Sequence, residues 1–255
     1  MRRVVIVPVY NEQAVVAAVL DRVWPQVDIL IVVNDGSTDE SHPRIEAWAQ
    51  GKTGVYLVSS PVNRGQSAGL KRGYAIMHYL LERALIGPGD PVVEMDCDGQ
   101  HDPAYVTPLI ESWQRSQADI VLARRDLAGY PFYKMVGNWG LTVINSLLAG
   151  QRFFDAVSNF RVAPAQARSE LLHYYTGYRY SGSFEANIIY AGLGYKTDNS
   201  FKVHVPLYRA GARASDGWHI VGTGLRAWYR VRAKRPAQDL EAFVRNTLTD
   251  LVLPK

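Results

Sequence analysis

Three polar side chains that follow an apolar strand pattern have the types and spacing of a metal site. Asp96, Asp98 and Gln100 come directly after this pattern, and one residue separates each from the next. Hard divalent cations prefer carboxylate and amide oxygens, and acids beside an apolar strand lower stability unless something binds them. We predict a Mg²⁺ or Mn²⁺ site on these three residues, with a solvated acidic turn as the alternative. We expect His101 to have a capping or surface role and Cys97 to be small and buried.

Two earlier polar segments, which also follow apolar runs, have the character of a nucleotide site. In the first, Pro8 limits backbone freedom, Tyr10 offers a ring for stacking, and Glu12 can accept hydrogen bonds from a base or ribose. In the second, Asp35 can accept from a base N–H or a sugar hydroxyl, beside a glycine that permits a tight turn. We predict that Pro8, Tyr10, Glu12 and Asp35 bind a nucleotide. For the first segment, an ordinary strand-to-helix turn is the alternative.

An alternation of strand and helix patterns would bring these segments together. The alternation predicts an α/β fold with a doubly wound, mostly parallel sheet, in which ligands bind beyond the carboxyl ends of the strands. The predicted strands lie at 4–9, 28–33, 55–58, 91–95 and 119–123, and the predicted helices at 12–23, 65–84 and 103–116. We expect one catalytic domain at 1–215 and a helical, basic and aromatic tail at 216–255.

The second half of the chain departs from this alternation. A segment rich in glycine and aromatic residues at 129–140 precedes an apolar helix near 139–149, and a further helix is predicted at 164–174. We expect this half to shape the acceptor side of the site, where a second substrate would bind. The tail interleaves aromatic residues such as Trp218 and Trp228 with arginines, which favours an anionic membrane surface; an exposed helix or a dimer contact is the alternative.

Composition narrows the class of protein. The chain has 255 residues, of which 47% are hydrophobic and 20% charged, as in an ordinary globular enzyme. Its lone cysteine suits a reducing cytoplasm, and no run approaches the roughly 18 to 20 apolar residues that cross a bilayer. The net charge of +4 suits a phosphate-bearing substrate or an anionic lipid surface, and we expect no nucleic-acid partner. The predicted location is cytoplasmic, with a peripheral membrane position open.

The polar segments also occur in an order and spacing that resemble glycosyltransferase family 2 and, within it, the dolichol-phosphate mannosyltransferase group. The resemblance rests on five segments, at 8–12, 34–37, 63–73, 96–101 and 155–161. It implies a nucleotide-diphospho-sugar transferase fold of the GT-A type, a GDP-mannose or UDP-glucose type of donor, and inversion at the anomeric carbon. It also implies that segment 205–215 closes over the donor, with Arg209 on its diphosphate. The chain departs from the group at Asn159, where a glycine is usual.

The acceptor determines which further residues are needed. A polyprenyl (dolichyl) phosphate is already a nucleophile and needs only cationic positioning, for which this chain offers Arg124 and Lys134, in segments that depart from the group's pattern. A hydroxyl on a soluble molecule or glycan needs a base. Asp155 is the first candidate base and Glu185 the second, while a loop acid that holds Arg161 is the alternative for Asp155.

Two rival classes remain to be compared with a transferase. A non-catalytic nucleotide-sugar-binding module would share the fold, although the intact metal segment argues against it. A nicotinamide oxidoreductase would need a glycine triad after the first strand, where this chain has segment 8–12. The sequence therefore favours a metal-dependent hexosyltransferase.

Overall fold

An eight-stranded mixed sheet organises the computed structural model, which describes residues 1–127, 129–206 and 216–252. Its strand order is β10-β3-β2-β1-β4-β7-β5-β8, and a separate pair joins β6 to β9. The strands are β1 Val4–Val9, β2 Ile29–Asp35, β3 Val55–Ser60, β4 Pro91–Glu94, β5 Ile120–Leu122, β6 Arg124–Asp126, β7 Arg161–Pro164, β8 Thr197–Asp198, β9 Lys202–His204 and β10 Leu251–Val252.

Helices cover both faces of this sheet. The side chains of β1 and β2 are buried along their whole length, which favours apolar residues on both faces and explains why both strands are rich in valine and isoleucine. The helices are α1 Val16–Val23, α2 Ser41–Ala49, α3 Gln66–Glu82, α4 Val106–Arg115, α5 Phe132–Ala149, α6 Ala165–Tyr174, α7 Gly182–Gly192, α8 Asp216–Arg232 and α9 Leu240–Leu248. One core cluster involves α1, α2 and α4, and the other involves α3, α6, α7 and α8.

The close approach of α3 to the sheet depends on two glycines. A Cβ on Gly73 would come within 2.3 Å of the Ile6 side chain, and one on Gly69 within 3.1 Å of Pro8. A larger residue at position 73 would therefore push α3 away from β1. Since α3 starts at Gln66, this packing also sets where the beginning of the helix lies relative to the ends of the strands.

The predicted α/β class and mostly parallel sheet are confirmed. β2, β3 and β4 extend the parallel sheet from β1, whereas β7 runs antiparallel between β4 and β5. The largest boundary differences are at the starts of α1, which begins at Val16 rather than residue 12, and of α5, which begins at Phe132 rather than near 139, so the segment at 129–140 is largely helical. The sequence analysis did not predict α2 or α7.

The C-terminal segment packs into the same core as the rest of the chain. Ile220, Ala227 and Val231 of α8 and Val244 of α9 are buried in the cluster around α3, and β10 pairs antiparallel with β3. The division at residue 215 stays a prediction. Among the residues that the structure describes, no helix combines the length and apolar character needed to cross a bilayer.

A charged cluster lies inside the core behind the end of β4. Glu94 is buried between Arg161 and Arg168, with nitrogen to oxygen distances of 3.6 and 2.8 Å, and it also accepts a hydrogen bond from Tyr74. Buried charges need such pairing, because an isolated carboxylate would cost several kcal/mol or more to desolvate. The cluster fixes β4 to β7 and α6 immediately before the acidic segment at 96–100.

Candidate active site

The predicted polar segments converge at the carboxyl edge of the parallel strands. β1 pairs with β2 so that Val9 lies opposite Asn34, and with β4 so that Ile6 lies opposite Glu94. Residues that follow these strands therefore share one edge of the sheet, as the sequence predicted. Tyr10 is exposed there, and its neighbour Glu12 is buried and donates its backbone N–H to Ser41 Oγ at 2.8 Å.

The loop before α3 links the two acids predicted to hold the donor and the metal. The Asp35 carboxylate accepts from the backbone N–H groups of Arg64, at 3.2 Å, and Gly65, at 2.8 Å. The next residue, Gln66, donates its side-chain amide to the Asp96 carboxylate. Burial raises the pKa of Asp35, while these backbone hydrogen bonds oppose the rise. Asp35 and Asp96 therefore lie on two sides of one turn.

The acidic turn itself is shaped by its own backbone and by His101. The Asp96 N–H donates to His101 Nδ1 at 2.9 Å, and the Gln100 N–H donates to Asp98 Oδ1 at 2.9 Å. Burial lowers the pKa of His101 to about 4, so the imidazole is neutral. Burial also raises the pKa of Asp96 to about 7, against the hydrogen bond from Gln66.

The expected surface position of His101 is wrong, whereas the expected capping role agrees with the bond that its Nδ1 accepts from the Asp96 N–H. The ring is buried and stacks on Phe160, with a centroid distance of 5.1 Å. The expectation for Cys97 is confirmed, since its thiol is buried in the core beside α4. Along this turn, the side chains of Cys97 and His101 are therefore buried, whereas Asp96 and Asp98 are only partly buried.

Segment 155–161 supports the site through several different contacts. Asn159 donates to Gln66 Oε1 at 3.1 Å, which orients the amide that binds Asp96. Phe160 lies against His101, and Arg161 pairs with Glu94. This segment therefore supports the acidic turn through the residues that it contacts, namely Gln66, His101 and Glu94.

Asp155 is held by Arg125. Arg125 Nε and Nη2 donate to the two carboxylate oxygens at 2.7 and 3.0 Å, and the Arg125 backbone N–H adds a bond at 3.1 Å. Burial alone would raise the pKa of Asp155, but the charge and hydrogen bonds of Arg125 outweigh it and lower the pKa. The alternative partner, Arg161, is wrong, because that side chain contacts Glu94, Ser183 and Asn187. The role of Asp155 as a base stays a prediction.

The other predicted residues lie in several places. Arg124 of β6 packs its guanidinium over the Phe154 ring at 4.8 Å, and Lys134 lies in the first turn of α5. Glu185 is buried on α7, where it pairs with Arg230 at 2.6 Å. Arg209 lies outside the described residues.

The donor set of the acidic turn fits a divalent cation that shares its coordination with substrate. In the described parts of the chain, no three His, Cys, Asp or Glu side chains form a ready-made metal cage. Mg²⁺ sites that act on phosphates typically use only one or two protein carboxylates, with substrate oxygens and waters completing the shell. Asp96 and Asp98 supply two carboxylates, and the raised pKa of Asp96 reflects a buried acid that an adjacent cation would stabilise.

Comparison with known proteins assigns the family. Residues 4–169 match the sequence profile described as glycosyl transferase family 2, which is more than half of the chain. The chain belongs to this family. It is therefore a glycosyltransferase, and the matched range contains the five polar segments at 8–12, 34–37, 63–73, 96–101 and 155–161.

The names of two relatives of this family 2 protein give a polyprenyl phosphate as the acceptor. The protein is 26% identical to the UDP-N-acetylglucosamine–dolichyl-phosphate N-acetylglucosaminyltransferase of Methanococcus voltae, over 72% of this chain and 78% of the relative. It is 27% identical to the undecaprenyl-phosphate mannosyltransferase of Micrococcus luteus, over 63% of this chain and 65% of the relative.

A solved structure confirms the predicted GT-A type of fold. Glucosyl-3-phosphoglycerate synthase from Mycobacterium tuberculosis, in complex with Mn²⁺, UDP-glucose and phosphoglyceric acid, superposes with a TM-score of 0.63 and 21% identity. The superposition covers 89% of this chain and 80% of that one. At this identity the likeness concerns the fold alone.

Sequence reasoning missed three residues that the structure brings to the site. Gln66 binds Asp96, Arg125 binds Asp155, and Asn138 of α5 accepts from Arg125 Nη2 at 2.9 Å. Arg125 is adjacent to the predicted Arg124. The pair of arginines therefore indicated that this position matters, but the sequence could not show which of the two binds Asp155. Gln66 and Asn138 carried no signal, because their partners are about 30 and 13 residues away.

Proposed function

We propose that this family 2 enzyme moves a hexose from a nucleotide-diphosphate sugar, of the GDP-mannose or UDP-glucose type, to a polyprenyl phosphate. The two named relatives act on such acceptors, which supports the proposal. A peripheral position on the cytoplasmic face of a membrane is part of it, because the acceptor's prenyl chain lies in a bilayer.

The part of the proposal that concerns the nucleotide-sugar donor rests on the loop before α3, which contacts both Asp35 and Asp96. Tyr10 follows β1 at the same edge of the sheet and is exposed, as stacking on a base would need, and Asp35 is the last residue of β2, where we propose that it binds the base or ribose. Asp96, Asp98 and Gln100 would hold Mg²⁺ or Mn²⁺, which supplies charge neutralisation at the departing diphosphate when bound.

The acceptor half is carried by one observation, the Arg125–Asp155 ion pair. A carboxylate that a guanidinium holds through two bonds, with a lowered pKa, is a weak proton acceptor. A phosphate oxyanion needs no proton removed. It attacks the anomeric carbon from the face opposite the leaving group, the bond to the diphosphate breaks, and the configuration inverts. Arg124 and Lys134 are proposed to position the acceptor phosphate.

The donor experiment is calorimetric titration of GDP and UDP with Mn²⁺ and with chelator, for wild type and Asp98→Ala. We expect one nucleotide to bind in a metal-dependent way, and the variant to lose that binding. Failure of both nucleotides to bind wild type would overturn the catalytic proposal in favour of a non-catalytic module.

The acceptor experiment compares farnesyl phosphate with farnesol, which differ only in the phosphate. We expect transfer to the phosphate and none to the alcohol. Transfer to the alcohol would instead favour a hydroxyl acceptor and the prediction that Asp155 is a base.

A further inference from the structure

Although Leu141 and Leu148 of α5 pack against the core, the outward face of α5 is unusually apolar for a helix on the surface of a water-soluble protein. Such a helix turns its apolar stripe inward and its polar residues outward. Large apolar side chains of α5 face outward instead, with Phe132 80% exposed, Trp139 68% and Leu147 77%. The exposed large apolar residues of α5 are Phe132, Tyr133, Met135, Val136, Trp139, Val143, Ile144 and Leu147.

The polar residues of α5 face the protein and are engaged there. Asn145 Nδ2 donates to the Phe184 carbonyl at 2.8 Å, and Thr142 Oγ1 accepts from the Ala156 N–H at 3.2 Å. Asn138 contacts Arg125, as described above. These bonds fix which face of α5 points outward, because rotating the helix to bury its apolar residues would leave buried polar partners unsatisfied.

α8 packs against α5 and carries exposed aromatic and basic residues of its own. Trp218 is exposed at its start, and Tyr229 is exposed near its end. The Arg232 guanidinium lies 4.1 Å from the centre of the Trp228 ring. The exposed charged residues at the end of α8 and just after it are basic: Arg226, Arg232, Lys234 and Arg235.

We propose that the outward face of α5, flanked by the basic end of α8, docks on a bilayer that contains anionic phospholipid. Charge complementarity selects this occupant. α5 carries one charged side chain, Lys134, and no acid. A second copy of the chain would bring like charges together, whereas anionic headgroups attract the arginines while the apolar side chains enter the acyl boundary. Tryptophan and tyrosine are suited to that boundary, since their rings are apolar with a polar tip.

The docked surface would continue into the candidate active site. Asn138 ties α5 to Arg125 and Asp155, so a bilayer against α5 lies beside the predicted acceptor side. This inference rests on the proposed polyprenyl phosphate function for its biological meaning. Vesicle binding can nevertheless be measured without donor or acceptor, which separates the two proposals.

The experiment is sedimentation of the full chain with vesicles of phosphatidylcholine and phosphatidylglycerol in equal parts, and with vesicles of phosphatidylcholine alone. The test variant is Leu147→Glu, on the outward face of α5. The matched control is Leu85→Glu, at a leucine that is 41% exposed in the loop after α3. Circular dichroism checks that both variants are folded, and transfer to soluble farnesyl phosphate is measured without vesicles.

We expect wild type and Leu85→Glu to bind the anionic vesicles. Leu147→Glu should bind at least about tenfold more weakly, because it loses a leucine that the bilayer would bury and adds a negative charge. Soluble transfer should be unchanged in both variants. Equal binding by wild type and Leu147→Glu overturns the proposal. Equal binding of wild type to neutral and anionic vesicles overturns the role given to the arginines. Light scattering that shows a wild-type dimer, which Leu147→Glu converts to a monomer without affecting vesicle binding, assigns the surface to a second copy and also overturns it.

Discussion

Asp96 and Asp155 are both carboxylates at the edge of the candidate active site, and the groups that contact them differ in charge. The Asp96 carboxylate accepts from the neutral amide of Gln66 and lies near the neutral imidazole of His101. The Asp155 carboxylate is bound by the guanidinium of Arg125. Burial therefore prevails at Asp96 and raises its pKa to about 7, whereas at Asp155 the cation prevails over burial and lowers the pKa.

The difference indicates separate uses for two acids that look alike in the sequence. Because Asp155 already has its counter-ion from the protein, we propose that it contributes mainly to the structure of the predicted acceptor side. Asp96 is contacted mainly by neutral groups and gains most from a cation supplied with the substrate. Four single substitutions and one double variant test this contrast, from the largest expected effect to the smallest.

Replacing Asp96 should have the largest effect on activity. Asp96→Asn keeps the shape of the side chain but removes its charge, so we expect Mn²⁺-dependent nucleotide binding to disappear and transfer to fall at least about a thousandfold. Calorimetry and a transfer assay measure both. The matched control is Asp102→Asn on the same turn, whose partner Arg22 is exposed, and it should keep the wild-type rate. Nucleotide binding that survives in Asp96→Asn would contradict the metal assignment.

Replacing Asp155 should instead affect stability. Asp155→Asn leaves Arg125 without its counter-ion, so we expect the free energy of unfolding at pH 7 to fall by about 3 to 5 kcal/mol in urea denaturation. The lowered pKa of Asp155 stabilises the fold above the ordinary value of 3.8, and that contribution is lost as pH falls through the folded-state pKa. Wild type and variant should therefore converge in stability in acid.

A double variant sharpens this second test. Adding Arg125→Met to Asp155→Asn removes both charges and should recover part of the lost stability. Asp155 would be a base after all if Asp155→Asn kept the stability of wild type, lost kcat with little change in KM, and lost the basic-group inflection of the pH–rate profile.

Removing the amide that orients Asp96 should have an intermediate effect. Gln66→Ala leaves the carboxylate in place but free to rotate, so we expect Mn²⁺ affinity to fall roughly 10- to 100-fold, the range typical of groups that orient metal ligands. Manganese electron paramagnetic resonance measures the free ion directly. Gln114→Ala, at an exposed glutamine of α4, is the control. An affinity unchanged in Gln66→Ala would mean that this contact has no part in shaping the metal site.

The smallest effect is expected at the residue behind Gln66. Asn159→Gly installs the residue that is usual in the resembling group and removes one hydrogen bond to Gln66 Oε1. We expect a loss of Mn²⁺ affinity of about two- to tenfold, as for one hydrogen bond. A larger loss of Mn²⁺ affinity in Asn159→Gly than in Gln66→Ala would contradict the view that Asn159 acts on Asp96 through Gln66.

Much of the fold on the N-terminal side was predictable because its signals are local. The valine and isoleucine runs of β1 and β2 are buried on both faces, and polar residues follow each strand directly. Parallel strands share a carboxyl edge, so the prediction of a mostly parallel sheet was enough to place Tyr10, Asp35 and Asp96 at one edge. α5 was harder to place, because its first turns combine glycine, aromatic and apolar residues without an inward apolar stripe.

By itself, the amino-acid sequence determined the α/β class, the edge at which ligands bind, and the acids that stand there, because side-chain periodicity and the residues after each strand are properties of neighbours in the chain. Only the tertiary structure decided what each acid touches. Gln66 reaches Asp96, and Arg125 reaches Asp155, each across 30 residues of sequence. The outward face of α5 was decided in the same way, by the hydrogen bond that Asn138 accepts from Arg125 and the one that Asn145 donates to the Phe184 carbonyl. Charge and burial depend on those distant partners, and no local pattern records them.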